Sequence, residues 1–447
     1  MNYIDFMKKN LVNLPYSVGN MVAKIPYGIR PFMGGIYKKR IIEINQFDKY
    51  NAAKKKDFIF NKVKYISMYA YNNIPFYNDF YNDCNFKPVD LKSYDDIKEI
   101  PVINKLILQD VPLEYRSNYK LKKSLANTGG SSGKPFAFYI EPSSVPHEWA
   151  HMHHVWANLA YKQSHLKIMF GGRSDIENVV SYDSIRHQLT VDIYKPFPVI
   201  ADHLFKACIK YNPVYLHGYP SAIFDLIFWL NENHHPLLTY FKNNIKGMFL
   251  GSELPSPIAR NNAEQLVQCS SISWYGHTER CILAYEKNKK YSYTPFHTYG
   301  FVETICIDNA ENLVGTSYYN MVSPLIRYNT EDIVIPTYKE NILDCFEISE
   351  GRSGEYILDK NNNKIYLTGF IFGRHHKIFD CVKHIQVHQS EPGYATIYFS
   401  SKNIYSDDFV NSNFDSSNID IIFSYKFIPE PVKTSAGKVP LMLKNIS

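Results

Sequence analysis

Residues Thr128 to Pro135 read T-G-G-S-S-G-K-P. Glycines let several backbone N–H groups converge on one anion through close approach and positive φ, and hydroxyls plus a cation complete a cradle for a polyphosphate. Gly130, Ser131, Ser132, Gly133 and Lys134 supply all three kinds of contact. The stretch is not a Walker loop, which would place a glycine where Thr128 stands and a Ser or Thr where Pro135 stands. Taken alone, such a turn is more often a plain linker, so its meaning rests on its companions. A second pattern, His147-Glu-Trp-Ala-His151, matches H-E-x-x-H, which on a helix sets two histidines on one face for zinc with the glutamate as base. No third ligand follows at metalloprotease spacing, and the segment comes directly after the glycine loop, where a helix covering a pocket is expected. His153 and His154 belong to a polar helix face or line a pocket, and His375-His376 reads as a surface pair.

These residues need a scaffold, and 447 residues suffice for two or three units with sizeable cores. A 45% hydrophobic and 21% charged composition suits a folded globular chain, and 36 Tyr with 28 Phe supply core and pocket aromatics. The net charge of +6 is mild and no long Lys/Arg block occurs, which argues against a nucleic-acid partner. Seven cysteines lie far apart with no C-x-x-C pair, so neither a disulfide framework nor a cysteine zinc site is signalled. That usage points to the reducing cytoplasm. Asp5, Lys8, Lys9 and Lys24 interrupt the early apolar runs, so no secretory leader is expected, and no stretch approaches the roughly 20 apolar residues of a bilayer span. Between residues 19 and 40, apolar residues alternate with Lys24, Arg30, Lys38, Lys39 and Arg40. The expectation is a segment wrapping the large domain with its basic residues solvated, and membrane contact at most peripheral.

Residues 41–83 place Tyr65, Met68 and Tyr69 at helical spacing, with a break at Pro75. Short apolar or β-branched runs at 167–170, 246–250, 271–274 and 301–307 alternate with helical stretches such as 147–161, 199–211 and 220–233. This is an α/β pattern. After Asp332 the chain turns to Tyr/Ile-rich strand candidates separated by polar turns at 361–363 and 406–418. A boundary near Gly351-Arg352 leaves a C-terminal unit of about 95 residues, enough for its own core.

Further motifs follow the loop in order. Trp274 to Glu279 reads W-Y-G-H-T-E, Arg327 to Asp332 reads R-Y-N-T-E-D, Gly351-Arg352 follows, and Thr434 to Val439 reads T-S-A-G-K-V. Together with the loop they resemble the S/T-S-G-T-T-G-x-P, Y-G-x-T-E, R-Y-x-T-G-D, G-R and G-K motifs of the adenylate-forming superfamily. Leu216-His-Gly-Tyr-Pro-Ser221, Gly251-Ser-Glu253 and the short overall length are similar to the phenylacetate-CoA ligase-like branch and its CapK-like members.

The resemblance implies an α/β fold with a large adenylate-forming domain of mixed sheets and helices at 1–351, helical over 1–120, and a small, mobile α+β lid at 352–447. It implies that Thr128, Ser131, Ser132 and Lys134 hold the β- and γ-phosphates of ATP, and that Tyr275 and Gly276 border adenine beside the Gly251, Ser252 and Glu253 backbone. Thr278 would reach the α-phosphate, Glu279 chelate Mg²⁺, Asp332 accept from the ribose hydroxyls and Arg352 donate to them. Lys438 would neutralise charge on the α-phosphate as a carboxylate attacks. His217, Gly218, Tyr219 and the 147–160 helix are the candidates for an acid pocket. The implied reaction is acyl-adenylate formation, then transfer to coenzyme A or an amine, with a polysaccharide-related acid as substrate; a homodimer is a candidate assembly. Glu331 replaces the family's glycine in T-G-D, Gly354-Glu355 stands where the branch has Asp after G-R, and Pro440 replaces a common basic residue. These departures motivate a second reading, a chain without catalysis serving as a scaffold in a glycan-assembly complex.

Overall fold

The computed structural model describes residues 14–30, 33–109, 111–127, 137–171, 178–193, 195–350, 356–362, 364–367, 370–371, 376–382, 384–417, 419–433 and 439–443. The glycine-rich loop, the boundary at Gly351-Arg352, His375 and Lys438 lie outside the described residues. The chain forms two compact units, one of residues 1–23, 164–273 and 349–447, the other of residues 24–163 and 274–348.

In the first unit, residues 271–273 of the strand Ser271–Gly276 begin a run of neighbouring strands that continues through Gly247–Leu250, Tyr215–Gly218, Lys167–Gly171 and Gln188–Asp192 to Val180–Asp183. All neighbours pair in parallel except the last two. Parallel strands covered on both faces read as continuous apolar runs, and Gly247–Leu250 is buried throughout. The helices Phe197–Tyr211, Pro220–Glu232, Pro236–Asn244 and Pro257–Val267 each carry a proline in the first turn, where its missing N–H costs nothing. Their apolar faces close one core around Ile168, Leu204, Leu216, Ile227, Phe241 and Met248.

Residues from 356 onward in this unit build a sheet in the order Ile422–Ile428, Tyr394–Ser400, His384–Glu391, Met442–Leu443. Its core is drawn from its own residues, among them Ile357, Ile378, Val387, Phe399 and Phe414. Two expectations change here. The Ser406–Asn413 part of the polar stretch is a helix, because the Ser406 hydroxyl caps the Phe409 N–H at 3.3 Å, Asp407 and Asp408 sit in the first turn, and Val410 is buried. His376 is not on the surface: it stacks on Phe414 with centroids 4.2 Å apart, and its nitrogens meet the Phe370 carbonyl and the Asp415 N–H, each at 2.8 Å.

The second unit carries the helices Gly34–Phe47, Ala52–Asn73, Pro75–Asp83 and Val145–Ala157. Its sheet includes the antiparallel strands Gly300–Ile307, Ala310–Ser317 and Tyr328–Lys339. The stems Ser124–Asn127 and Ala137–Ile140 pair on either side of the undescribed loop, with Asn127 opposite Ala137. Arg40 departs from the expected solvated charge: it is buried, pairs with Glu43 and lies under the Tyr319 ring. Among the described residues no helix is long and apolar enough to cross a membrane.

Two backbone positions make tests. Gly218 has φ +139°, and a Cβ there would sit 2.0 Å from the Phe170 carbonyl oxygen. Gly218→Ala is expected to lower unfolding free energy by at least about 2 kcal/mol in denaturant titration. Glu331 lies in the bulge between Asn329 and Ile333 with φ +64°, the left-handed region where glycine is cheapest. Glu331→Gly is expected to raise stability by about 1 kcal/mol in the same measurement, and an unchanged midpoint would show that the carboxylate compensates its backbone.

Candidate functional site

In the first unit, the candidate pocket residues stand where parallel strands end, the place where open α/β sheets bind ligands. Gly218 pairs with Leu250 across Tyr215–Gly218 and Gly247–Leu250, so His217 and Tyr219 lie beside Gly251, Ser252 and Glu253. The Gly251 N–H donates to the Gly218 carbonyl at 3.2 Å, and the Tyr219 N–H to that of Phe170 at 2.9 Å. The close approach of the Phe170 carbonyl explains why position 218 is glycine. Burial, followed by the Lys167 ammonium, pushes His217 down to about 3, so its imidazole is neutral at physiological pH. Glu253 turns its carboxylate to the first turn of Pro220–Glu232, accepting the Ser221 N–H at 3.1 Å. Burial raises its pKa, opposed by the Ser221 hydroxyl and N–H, His384 and the Val439 N–H.

The second unit joins the residues of the two later motifs. Strand Ser271–Gly276 carries Tyr275, whose hydroxyl donates to the Asp332 carboxylate. The Tyr275 ring sits edge-on to Phe346 at 5.3 Å, which fixes its direction. Asp332 is buried at the end of the bulge, where the Thr330 hydroxyl accepts its N–H at 3.3 Å. Gly276 and Thr278 are exposed, while Glu279 is buried with one oxygen 3.2 Å from His277 Nδ1 and the other 3.4 Å from the Tyr328 hydroxyl. His277 Nε2 lies 3.4 Å from the Cys281 sulfur. Burial would lower the His277 pKa, but Cys281 and Glu279 outweigh it and hold the imidazole above its ordinary value.

This Cys–His–Glu line has the order of a nucleophile triad, but Cys281 is fully buried, so the arrangement orients Glu279 rather than exposing a thiol. Mg²⁺ held largely by phosphate oxygens needs only one or two protein carboxylates, and Glu279 fits that requirement. Among the described residues no group of three His, Cys, Asp or Glu could hold a metal by itself.

Arg327, the first residue of R-Y-N-T-E-D, anchors this half. Its guanidinium is bidentate to Glu303 at 2.8 and 3.1 Å and donates to the carbonyls of Lys98 at 2.5 Å and Ile100 at 2.7 Å. The H-E-x-x-H histidines cannot share a metal. His151 Nδ1 faces the His147 carbonyl at 2.7 Å and Nε2 the Thr298 hydroxyl at 2.9 Å, while His147 stacks on Tyr319. His153 bonds the Tyr37 hydroxyl at 3.0 Å.

The sequence reading missed His277, Cys281, Tyr328, Asp225 and His384. Asp225 had a signal, a single carboxylate within the apolar run A-I-F-D-L-I-F. His384 had none, because its partner is 159 residues away.

No known protein-family profile matches the chain. Protein CapK of Staphylococcus aureus is 22% identical over 303 residues, 66% of this chain and 64% of that protein, so the match spans less than two thirds of the relative's length. A structure of 2-hydroxyisobutyryl-CoA ligase in the postadenylation state in complex with R3-HIB-AMP superposes with a TM-score of 0.64 at 14% identity, covering 88% of this chain and 90% of that one. The GH3.15 acyl acid amido synthetase superposes at 0.56 with 13% identity, over 88% and 92% of the two chains. With its parallel strand ends, its paired Tyr275 and Asp332 and its separate C-terminal sheet, the chain has the fold of the adenylate-forming superfamily.

Proposed function

We propose that the protein is an ATP-dependent ligase that activates a small carboxylic acid as its acyl-adenylate and passes the acyl group to coenzyme A or an amine. The observation that carries this reading is the hydrogen bond between Tyr275 and Asp332, 57 residues apart, which unites the two motifs assigned to adenine and ribose. In the first step a carboxylate oxygen of the acid bonds to the α-phosphorus of ATP and the bond to the β-phosphate oxygen breaks, releasing pyrophosphate. In the second, a thiol or amine attacks the acyl carbon, loses its proton, and AMP leaves.

In this reading Tyr275 borders adenine and aligns Asp332, whose carboxylate accepts from the ribose hydroxyls, assisted by Arg352. Thr128, Ser131, Ser132 and Lys134 hold the outer phosphates, and Thr278 reaches the α-phosphate. Glu279, oriented by His277 and Tyr328, would hold Mg²⁺, which supplies charge neutralisation along the triphosphate. Lys438 stabilises charge developing on the α-phosphate. Neutral His217, with Tyr219, lines the acid pocket, where an uncharged imidazole accepts or donates a hydrogen bond without trapping the carboxylate as an ion pair. The motif resemblance favours a polysaccharide-related acid, and seven widely spaced cysteines with no C-x-x-C pair support a reducing, cytoplasmic setting.

Pyrophosphate release measured across a panel of sugar acids, amino acids and aryl acids tests the reading. At least one acid is expected to stimulate release, and Lys438→Ala to reduce that turnover by about 100-fold or more. Asp332→Asn is expected to raise the KM for ATP about tenfold, a loss of about 1.4 kcal/mol, because a neutral amide accepts more weakly. Release that no acid stimulates above the Lys438→Ala level overturns the proposal.

A further inference from the structure

Helix Pro220–Glu232 is apolar over most of its length, and Asp225 is its one carboxylate in the buried run from Pro220 to Ile227. A carboxylate that deep is tolerated only when paired. Its partner is His384, at the start of strand His384–Glu391, whose Nε2 lies 2.8 Å from both carboxylate oxygens. Two helical turns further along, Glu232 meets Lys402 at 2.7 Å. One helix therefore presents two acids to two basic residues of the C-terminal sheet region. Glu253 lies close by: it faces His384 electrostatically and is approached by the Val439 N–H, and its Oε1 is shielded from water without a hydrogen-bond partner.

The rest of this seam is loosely filled. An open cleft runs along it, lined by Phe228, Glu232 and Asn262 on one side and Phe379, Asp380 and Val382 on the other. The residues beyond 356 keep a core of their own, so their attachment here depends on polar contacts rather than on continuous apolar packing.

We propose that Asp225 and His384 are positioning residues, a latch that holds the C-terminal sheet on helix Pro220–Glu232 and so places Val439, the residue after Lys438, against Glu253. Its catalytic meaning rests on the function proposed above; its structural meaning does not. Loss of the His384 proton leaves the Asp225 carboxylate, 1% exposed while the seam is closed, without its opposite charge, so the closed seam and the charged imidazole support each other. Burial by itself would lower the His384 pKa; Asp225 and then Glu253 outweigh it, with the Lys433 ammonium opposing, and the value lies above the ordinary one. A raised value in the closed state means that the latch is fully formed below the ordinary histidine range and weakens as pH rises through the raised value.

The experiment is hydrogen–deuterium exchange on the full-length chain at about pH 6 and about pH 9, corrected for intrinsic rates, in wild type, His384→Gln and His384→Lys. Wild-type amides from Val439 to Leu443 and around Asp225 are expected to exchange about tenfold faster at the higher pH, relative to intrinsic rates. His384→Gln is expected to exchange fast at both, and His384→Lys, which stays charged across this range, to exchange slowly at both. The lysine variant separates loss of the latch from simple misfolding. Equal protection in wild type and His384→Gln at the lower pH, or a lysine variant that tracks the glutamine one, overturns the latch. Pyrophosphate release separates the two proposals. If Lys438→Ala abolishes acid-stimulated release while exchange ignores position 384, the latch falls alone. If exchange follows position 384 but no acid stimulates release, the latch stands and the ligase reading falls.

Discussion

The guanidinium of Arg327 fixes the half of the molecule that carries Tyr275, Glu279 and Asp332. Glu303 is only 15% exposed at its side chain, and a carboxylate so enclosed requires an opposite charge with matching geometry. Arg327 supplies it through two parallel hydrogen bonds, and its remaining donors hold the carbonyls of Lys98 and Ile100. The strand that follows is thereby tied to Gly300–Ile307 and to the chain near residue 100 before it reaches Asp332. Tyr328, the next residue, points its hydroxyl at Glu279. The register of that strand therefore decides both which carboxylate meets Tyr275 and which meets Tyr328.

A comparable economy operates at the parallel strand ends. Gly218 allows the Phe170 carbonyl to approach where any side chain would collide, and the strands beside it keep their spacing only because of that. The turn beyond it leads into a proline-started helix whose first free N–H is taken by Glu253. Residues that look like ligand contacts in the sequence thus have a structural share in holding one another in place.

The regular elements were legible because their causes are local. Apolar runs at 167–170 and 246–250 anticipated the strands Lys167–Gly171 and Gly247–Leu250, and helical stretches at 199–211 and 220–233 anticipated the helices Phe197–Tyr211 and Pro220–Glu232. The helix at Asp407–Asn413 was hidden by its polar composition, although Ser406 followed by two aspartates is a capping signal. Arg40 and His376 read as surface residues because their type is usually exposed; their burial depends on Glu43 and Tyr319 in one case and on Phe414 and two backbone groups in the other. The order of the motifs singled out Tyr275 and Asp332, which the fold joins by a hydrogen bond, whereas the pairing of Asp225 with His384 arises only when distant segments meet. Position 331 shows both sides: the missing glycine was visible, but only the bulge reveals that glutamate there adopts a left-handed backbone.

Glu253 at the head of helix Pro220–Glu232 has a consequence for how this architecture divides its labour. The positive end of a helix that follows a parallel strand is the usual seat of a phosphate in nucleotide-binding α/β proteins. Here the protein places the Glu253 side chain there, and it accepts the Ser221 N–H that a phosphate would otherwise take. Under the proposed reading the outer phosphates would be held elsewhere, at the loop whose stems pair with Asn127 opposite Ala137. In the proposed ligase the junction would then receive the uncharged parts of the acid, so that the choice of acid could vary without disturbing the nucleotide contacts.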